Sequence, residues 1–335
     1  MKKTNHTMCA GSRRNPLTYL HFCLLISFFS ASALTGSDKQ VVVYKTVSGH
    51  ETHANLFLPK HTEGPFPTVV YFHGGFFIWG NRDHALSNEF RQSLLSHKIA
   101  VVSADYRLAP ETKLDGIMED ASDLLRWLRS TGSKDFDLDP NKIAVAGSSA
   151  GGYLALTTGF DPECSPNAII AISVPPGFTD PGSMGDVSIL DEPGPYDVVG
   201  DSMISYGDYK ERRKLLRFLA KNKLFLYSVF GFDPSEEPDA LKKFKLQENI
   251  HSDFPPTLLI HARNDKAIPM DHVERLHRIM KEKGCVSELH IVENGHGEEL
   301  IKLNPESADR MISFLQDQAK FKKMGKPNKA VQATP

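Results

Sequence analysis

The sequence lacks an excess of charge of either sign. Its 39 lysine and arginine residues nearly balance 41 aspartate and glutamate residues, which leaves a formal net charge of −2. Recognition of nucleic acid through its phosphates needs a broad basic surface, so no nucleic-acid partner is predicted. Hydrophobic residues make up 40% of the chain and charged residues 24%, a balance that indicates a globular protein with a buried core.

The N-terminal region lacks an apolar run long enough to cross a membrane. The stretch from Leu20 to Phe29 is too short to span about 30 Å of hydrocarbon as a helix. Basic residues precede it and the small residues Ala31-Ser32-Ala33 follow it, which is the order of a signal peptide. We therefore predict a signal peptide over residues 1–33, cleavage after Ala33, a secreted or periplasmic protein and no stable membrane span after cleavage. An uncleaved anchor is the alternative.

Cysteine is scarce. Removal of the signal peptide would leave only Cys164 and Cys285, which allow one disulfide bond at most. There is no C-x-x-C spacing and no cysteine and histidine cluster, so the sequence predicts neither a structural zinc site nor any other metal site. No cofactor is expected.

From residue 40 onward, short β-branched runs alternate with longer amphipathic segments such as Asp115 to Arg129. This alternation predicts an α/β fold, with a mostly parallel central sheet and helices on both faces. We place the catalytic domain at residues 39–321 and predict a disordered tail at 322–335. The alternation is interrupted over residues 177–250, which we interpret as a cap insertion.

A nucleophile is indicated by Gly147-Ser148-Ser149-Ala150-Gly151, which fits the pattern G-x-S-x-G. The motif follows the predicted strand Ile143 to Ala146 and precedes a helix-like segment, and this strand–turn–helix setting makes the short pattern informative. Ser149 is therefore the predicted nucleophile.

A serine hydroxyl needs a base to remove its proton and a carboxylate to orient that base. Asp265 and His296 each follow a predicted strand, in the order acid then base, at the sheet edge where α/β proteins place their ligands. We predict that they complete a catalytic triad with Ser149. Taken singly, Asp265 would be read as a turn residue and His296 as a solvated loop residue.

Acyl transfer also needs donors for the developing oxyanion. His73-Gly74-Gly75-Phe76 follows another predicted strand, and its glycines allow the backbone to approach a substrate closely. The predicted oxyanion donors are the backbone N–H groups of Gly74, Gly75 and Ala150. A plain turn after the strand is the alternative.

Together these motifs resemble the hormone-sensitive-lipase-like and carboxylesterase branch of the α/β-hydrolase superfamily. Two further runs, Asp105 to Glu111 and Ser149 to Gly152, are similar to hallmarks of that branch, and the likeness covers roughly residues 40 to 320. The resemblance implies an α/β-hydrolase fold and a cofactor-free hydrolase acting on a small-molecule ester. It also implies the same nucleophile, acid, base and oxyanion residues, and a structural role for the Asp105 to Glu111 run.

The chain departs from many relatives at two positions, Ser148 before the nucleophile and Phe76 after the glycines. Phe76 and Phe77 place apolar bulk beside the oxyanion loop and are the predicted substrate-binding residues; burial in the core is the alternative for each.

The function predicted from the sequence is that of a serine esterase working through an acyl-enzyme intermediate. An amidase, formamidase or peptidase using the same triad remains open, as does a non-catalytic binding protein with this fold.

Overall fold

The computed structural model describes residues 39–83, 86–175 and 202–321, all of which lie within one compact unit. The predicted signal peptide, the tail after residue 321 and residues 177–201 of the predicted cap insertion lie outside the described residues. Within the described ranges, no helix is both long and apolar enough to cross a membrane.

Eight strands form one sheet in the order β1-β2-β4-β3-β5-β6-β7-β8. The first two strands and the β2–β4 pair are antiparallel, and all remaining neighbours are parallel. The strands are β1 (Lys39–Val47), β2 (His50–Phe57), β3 (Phe66–Phe72), β4 (Ala100–Ala104), β5 (Leu138–Ser148), β6 (Ala168–Ile172), β7 (Thr257–Ala262) and β8 (Ser287–Val292). The mostly parallel sheet confirms the predicted fold class.

The central strands are apolar on both faces because helices cover the sheet on each side. Alternate residues of β3 belong to different cores: Val70 and Phe72 pack on one face, and Val69 and Tyr71 on the other. A parallel sheet buried on both faces requires continuous apolar strands rather than a polar alternation, and this is why the runs were visible in the sequence.

Helices connect the strands and cover the sheet. They are α1 (Asn88–Ser96), α2 (Leu114–Trp127), α3 (Ser133–Asp135), α4 (Ala150–Thr157), α5 (Tyr209–Lys221), α6 (Phe225–Phe230), α7 (Leu246–Asn249), α8 (Met270–Glu282), α9 (Glu298–Leu303) and α10 (Glu306–Gln318). The helix predicted from Asp115 to Arg129 corresponds to α2, after which the chain continues as a π-helical turn over Leu128–Gly132.

The described part of the predicted cap insertion carries α5 and α6 and is fixed to the body by a buried arginine. The guanidinium group of Arg212 on α5 pairs with Glu111 at 2.6 Å and donates to the carbonyl oxygens of Ile78 and Ala109. A buried charge needs such compensation, because removing one partner leaves the other desolvated and unpaired. Arg212 thus holds α5 against the segment that follows Gly74 and Gly75.

The two cysteines left for a possible bridge are both free. The thiol of Cys285 instead donates to the carbonyl oxygen of His251 at 3.1 Å.

Candidate active site

Ser149 occupies a sharp turn between β5 and α4. Its φ of 53° and ψ of −121° lie in a region that side-chain-bearing residues rarely adopt, and its backbone N–H donates to the Ile172 carbonyl oxygen at 2.8 Å. A Cβ at Gly151 would collide with the carbonyl oxygens of Phe72 and His73, so only glycine allows α4 to approach the sheet this closely. The turn leaves Ser149 half-buried, whereas Ser148 is fully buried.

Asp265 and His296 are brought together from two loops. Asp265 follows β7 and His296 follows β8, and Nδ1 of His296 lies 2.8 Å from Oδ2 of Asp265. The other carboxylate oxygen accepts from the backbone N–H groups of Ala267 at 2.8 Å and Ile268 at 3.0 Å. Because a carboxylate only accepts, Nδ1 of His296 carries the proton in this pair and Nε2 is left to act as a base.

The electrostatics favour an ionised Asp265. Burial of the side chain raises the pKa of Asp265, but hydrogen bonds from His296, Ile268 and Ala267 outweigh burial, so the pKa lies below its usual value. Behind it, Nε2 of the buried His261 donates to the Ile268 carbonyl oxygen at 3.0 Å, and burial lowers the pKa of His261. His261 is therefore neutral at pH 7 and places no positive charge beside the carboxylate.

Ser149 and His296 line the same cavity, which has a volume of about 310 Å³. Within the described ranges, no hydrogen bond joins Ser149 Oγ to His296. The structure thus joins the predicted acid and base directly, and places the predicted base and nucleophile on the walls of one cavity.

The loop after β3 lines the same cavity through Gly74, Gly75 and Phe76. Gly75 has a φ of +118°, and a Cβ there would collide with the Trp79 carbonyl oxygen. The N–H groups of Ile78 and Trp79 both donate to the Gly75 carbonyl oxygen, at 2.9 and 3.0 Å, which closes the loop into a tight turn. The N–H groups of Gly74 and Gly75 donate to no other described residue. Ala150 is the first residue of α4, a position at which the N–H has no intrahelical partner.

His73 supports this loop from within. It is buried, its ring stacks on Tyr106 with centroids 4.1 Å apart, and its Nδ1 donates to the Gly74 carbonyl oxygen at 2.7 Å. Burial lowers the pKa of His73 to about 4. His73 is therefore a neutral structural support of the loop that carries Gly74 and Gly75.

The two predicted substrate-binding phenylalanines have different positions. Phe76 lines the cavity. Phe77 is fully buried, packs edge-on against Tyr106 and Tyr153, and lines no part of this cavity, so for Phe77 the alternative of core packing corrects the predicted role. Both residues have a positive φ, and this consecutive left-handed backbone turns the two rings in different directions.

The described part of the predicted cap insertion contributes Tyr209 and Arg213 to the cavity. Tyr209 lies in the wall and meets the ring of Trp79 edge-on at 5.0 Å, while Arg213, one helical turn further along α5, donates to the Tyr209 hydroxyl at 2.9 Å. Arg213 was not predicted from the sequence to be a site residue. The four-residue spacing of Tyr209 and Arg213 was visible, but only the fold shows which face of α5 meets the cavity.

Glu298 is a further residue missed by the sequence analysis. It lines the cavity and begins α9, two residues after His296. The only signal in the sequence was its position two residues after the predicted base.

The Asp105 to Glu111 run forms buried ion pairs. Asp105 pairs with Arg82, Arg107 binds Asp120 through contacts of 2.6 to 2.9 Å, and Glu111 binds Arg212 of the cap. None of these residues lines the cavity, in agreement with a structural role. Across the described ranges, no group of three or more histidine, cysteine, aspartate or glutamate residues is arranged to hold a metal ion.

Comparison with solved structures agrees with the architecture. An α/β hydrolase superfamily protein from Enterococcus faecalis superimposes with a TM-score of 0.64 at 20% identity, covering 86% of this chain and 99% of the other. At this identity the likeness is evidence for the fold, and it confirms the α/β-hydrolase fold expected from the sequence.

Two curated relatives match this chain over less than a third of their own length. The 3-O-acetylpapaveroxine carboxylesterase CXE1 of Papaver somniferum is 42% identical over 89 residues, which are 24% of this chain and 28% of the relative. A non-reducing polyketide synthase, ausA of Emericella nidulans, is 27% identical over 314 residues; the match spans 77% of this chain but only 13% of that protein. A sequence model of the BD-FAE family matches residues 54–280. The chain is a member of the BD-FAE family and has the α/β-hydrolase fold.

Proposed function

We propose that this protein is a serine esterase that hydrolyses small-molecule carboxylic esters through an acyl-enzyme intermediate. The observation that carries the proposal is that His296, hydrogen-bonded to the buried Asp265, lines the same cavity as the strained Ser149. The carboxylesterase among its relatives supports the same chemistry.

In the proposed mechanism, Nε2 of His296 takes the proton of Ser149 Oγ as that oxygen attacks the ester carbonyl carbon. Asp265 holds the imidazole through Nδ1 and stabilises the imidazolium that forms. Collapse of the tetrahedral intermediate breaks the ester bond, and the alcohol leaves with the proton from His296. Water then attacks the acyl-enzyme by the same route, releasing the acid and restoring Ser149.

The N–H groups of Gly74, Gly75 and Ala150 are the proposed donors to the oxyanion. The two glycine N–H groups have no described partner, and the loop that carries them is held rigidly by His73 and by its own tight turn. Donors that are already oriented need no reorganisation during the reaction, which is why they stabilise the transition state efficiently.

The substrate is proposed to have a short acyl group. A volume of about 310 Å³ lies at the lower end of the range for ligand sites, and Phe76, Trp79 and Tyr209 enclose it with aromatic rings. Among the described aromatic residues of the predicted cap insertion, Tyr209 lines the cavity, whereas Phe225 and Phe230 are buried. We further propose export of the protein, on the signal-like composition of residues 1–33.

A fluorophosphonate probe and a panel of acyl esters test the function. We expect covalent labelling of the wild-type protein at Ser149, and turnover of acetyl and butyryl aryl esters that exceeds turnover of the matching aryl amides. Amide turnover at the same rate would favour an amidase. The absence of both labelling and turnover would favour a binding protein and overturn the proposal.

A further inference from the structure

Glu298 joins the loop of the proposed base to the strand that ends at the nucleophile. Its Oε1 accepts a hydrogen bond from the hydroxyl group of Ser148, the residue immediately before Ser149. The same oxygen accepts from the hydroxyl group of Tyr71 on β3 at 3.1 Å. Ser148 and Tyr71 are both fully buried, so one carboxylate oxygen connects the histidine loop to two rigid strands.

Both hydroxyl groups are committed donors in this cluster. An ionised carboxylate only accepts, so Ser148 and Tyr71 must supply the protons. Burial and the nearby Glu298 carboxylate together raise the pKa of Tyr71, which keeps its hydroxyl group protonated. Hydrogen bonds to a charged acceptor are stronger than those between neutral groups, so this is a firm attachment.

A second contact holds the same loop. The backbone N–H of Gly297 donates to Ser173 Oγ at 3.1 Å, directly after β6. A Cβ at Gly297 would lie 3.5 Å from Ser148 Oγ, which shows how closely the loop approaches the end of β5. The segment from His296 to Glu298 is therefore fixed against the ends of β3, β5 and β6.

The hydrogen bond between His296 and Asp265 orients the imidazole ring. It does not fix the distance from His296 to Ser149, because Asp265 lies on another loop, after β7. The separation of the base from the nucleophile depends on where residues 296–298 sit relative to the end of β5. A displacement of about 1 Å in an active site can reduce the rate by roughly 100-fold.

We propose that Glu298 is a positioning residue that holds His296 in reach of Ser149 by binding Ser148 and Tyr71. The inference rests on the proposed esterase function. It also gives a role to Ser148, which the sequence analysis identified only as a departure from the pattern of relatives.

The test compares Glu298→Ala, Glu298→Gln and the double variant Ser148→Ala/Tyr71→Phe with the wild type. Glu299→Ala is the matched control, because Glu299 is the exposed neighbour on the same helix and does not line the cavity. The measurements are kcat and KM for a butyryl aryl ester, the fluorophosphonate labelling rate and the melting temperature.

We expect Glu298→Ala to lower kcat and the labelling rate by about 10- to 100-fold, with KM within about twofold of the wild type. Glu298→Gln keeps an oxygen that accepts both hydrogen bonds, so it should retain kcat within about threefold. The double variant should resemble Glu298→Ala, because it removes both donors and leaves the carboxyl group in place. Glu299→Ala should resemble the wild type.

Three results would overturn the positioning role. They are a folded Glu298→Ala variant with wild-type kcat, a Glu298→Gln variant as slow as the alanine variant, and a raised KM with unchanged kcat, which would indicate a direct substrate contact. If Glu298→Ala does not fold, the double variant decides in the same way. Failure of the wild type to react with the probe would overturn the esterase function together with this inference, whereas the other results overturn the inference alone.

Discussion

Nδ1 of His296 and Oδ2 of Asp265 lie 2.8 Å apart, although 31 positions separate the two residues in the chain. Parallel neighbours β7 and β8 end at the same edge of the sheet, and each contributes one residue from the loop that follows it. Of the two, His296 lines the cavity that Ser149 also lines, and the side chain of Asp265 is buried.

Replacement of Ser149 by alanine should abolish covalent labelling and lower kcat by about six orders of magnitude, the size of effect seen for other triad serines. The remote, exposed Ser96 on α1 provides the control, and Ser96→Ala should label at the wild-type rate. Labelling of Ser149→Ala at an undiminished rate would show that another residue is the nucleophile. Circular dichroism checks that both variants are folded.

Asp265→Asn should lower kcat by about 10⁴-fold while the protein remains folded. The amide has only one oxygen, which accepts either from the N–H groups of Ala267 and Ile268 or from Nδ1–H of His296. The amide also carries no charge. His296 therefore loses both its orientation and the stabilisation of its cationic form. Steady-state kinetics with an acetyl aryl ester measure the effect. Retention of wild-type turnover would remove Asp265 from the mechanism.

Tyr209→Ala should broaden acyl-chain preference, because it removes a ring from the cavity wall. We expect the ratio of kcat/KM for octanoyl over acetyl esters to rise by an amount equivalent to about 1–3 kcal/mol. Phe218→Ala is a matched control from the same helix, since Phe218 is exposed and does not line the cavity. Equal profiles for the two variants would assign acyl selection to Phe76 and Trp79.

Because His73 is buried in its neutral form, we expect the protein to be less stable in mild acid. Its pKa in the folded protein is about 4, compared with a usual value of 6.5. As pH falls below 6.5, the unfolded chain takes up a proton that the folded protein refuses, so the free energy of unfolding decreases until the pH reaches about 4.

Between pH 7.5 and 4.5 this loss amounts to about 2.5 kcal/mol, at about 1.4 kcal/mol for each unit of pKa shift. Urea unfolding of the wild type and His73→Asn at both pH values measures it, because other titrating groups cancel in the difference between the two proteins. A difference that stays constant with pH would contradict the assignment.

Export from a secreting host should yield a protein whose N-terminus is Leu34. Intact-mass spectrometry of the purified material gives the position directly. Recovery of soluble protein that retains Met1 would contradict cleavage, and membrane-bound protein of full mass would favour an uncleaved anchor.

The fold class and the candidate triad were predictable because each depends on local patterns. Buried parallel strands are short and continuously apolar, as in Thr257–Ala262, and the residues that follow them meet at one edge of the sheet whatever their separation in the chain. Asp265 and His296 could therefore be expected near Ser149 from strand ends alone. The geometry brings Asp265 and His296 into contact and places His296 and Ser149 on the walls of one cavity.

The sequence by itself determined the order of strands and helices, the strained glycine-bounded turn at Ser149 and the chemistry available at the strand ends. These features follow from periodicity and residue type over a few neighbouring positions. Tertiary structure decided which of two adjacent phenylalanines lines the cavity, which cap aromatic reaches it, and that Glu298 contacts Ser148 across 150 positions of the chain. Those outcomes depend on the direction in which each side chain leaves its backbone and on what packs against it. Such relationships arise only when distant segments are brought together.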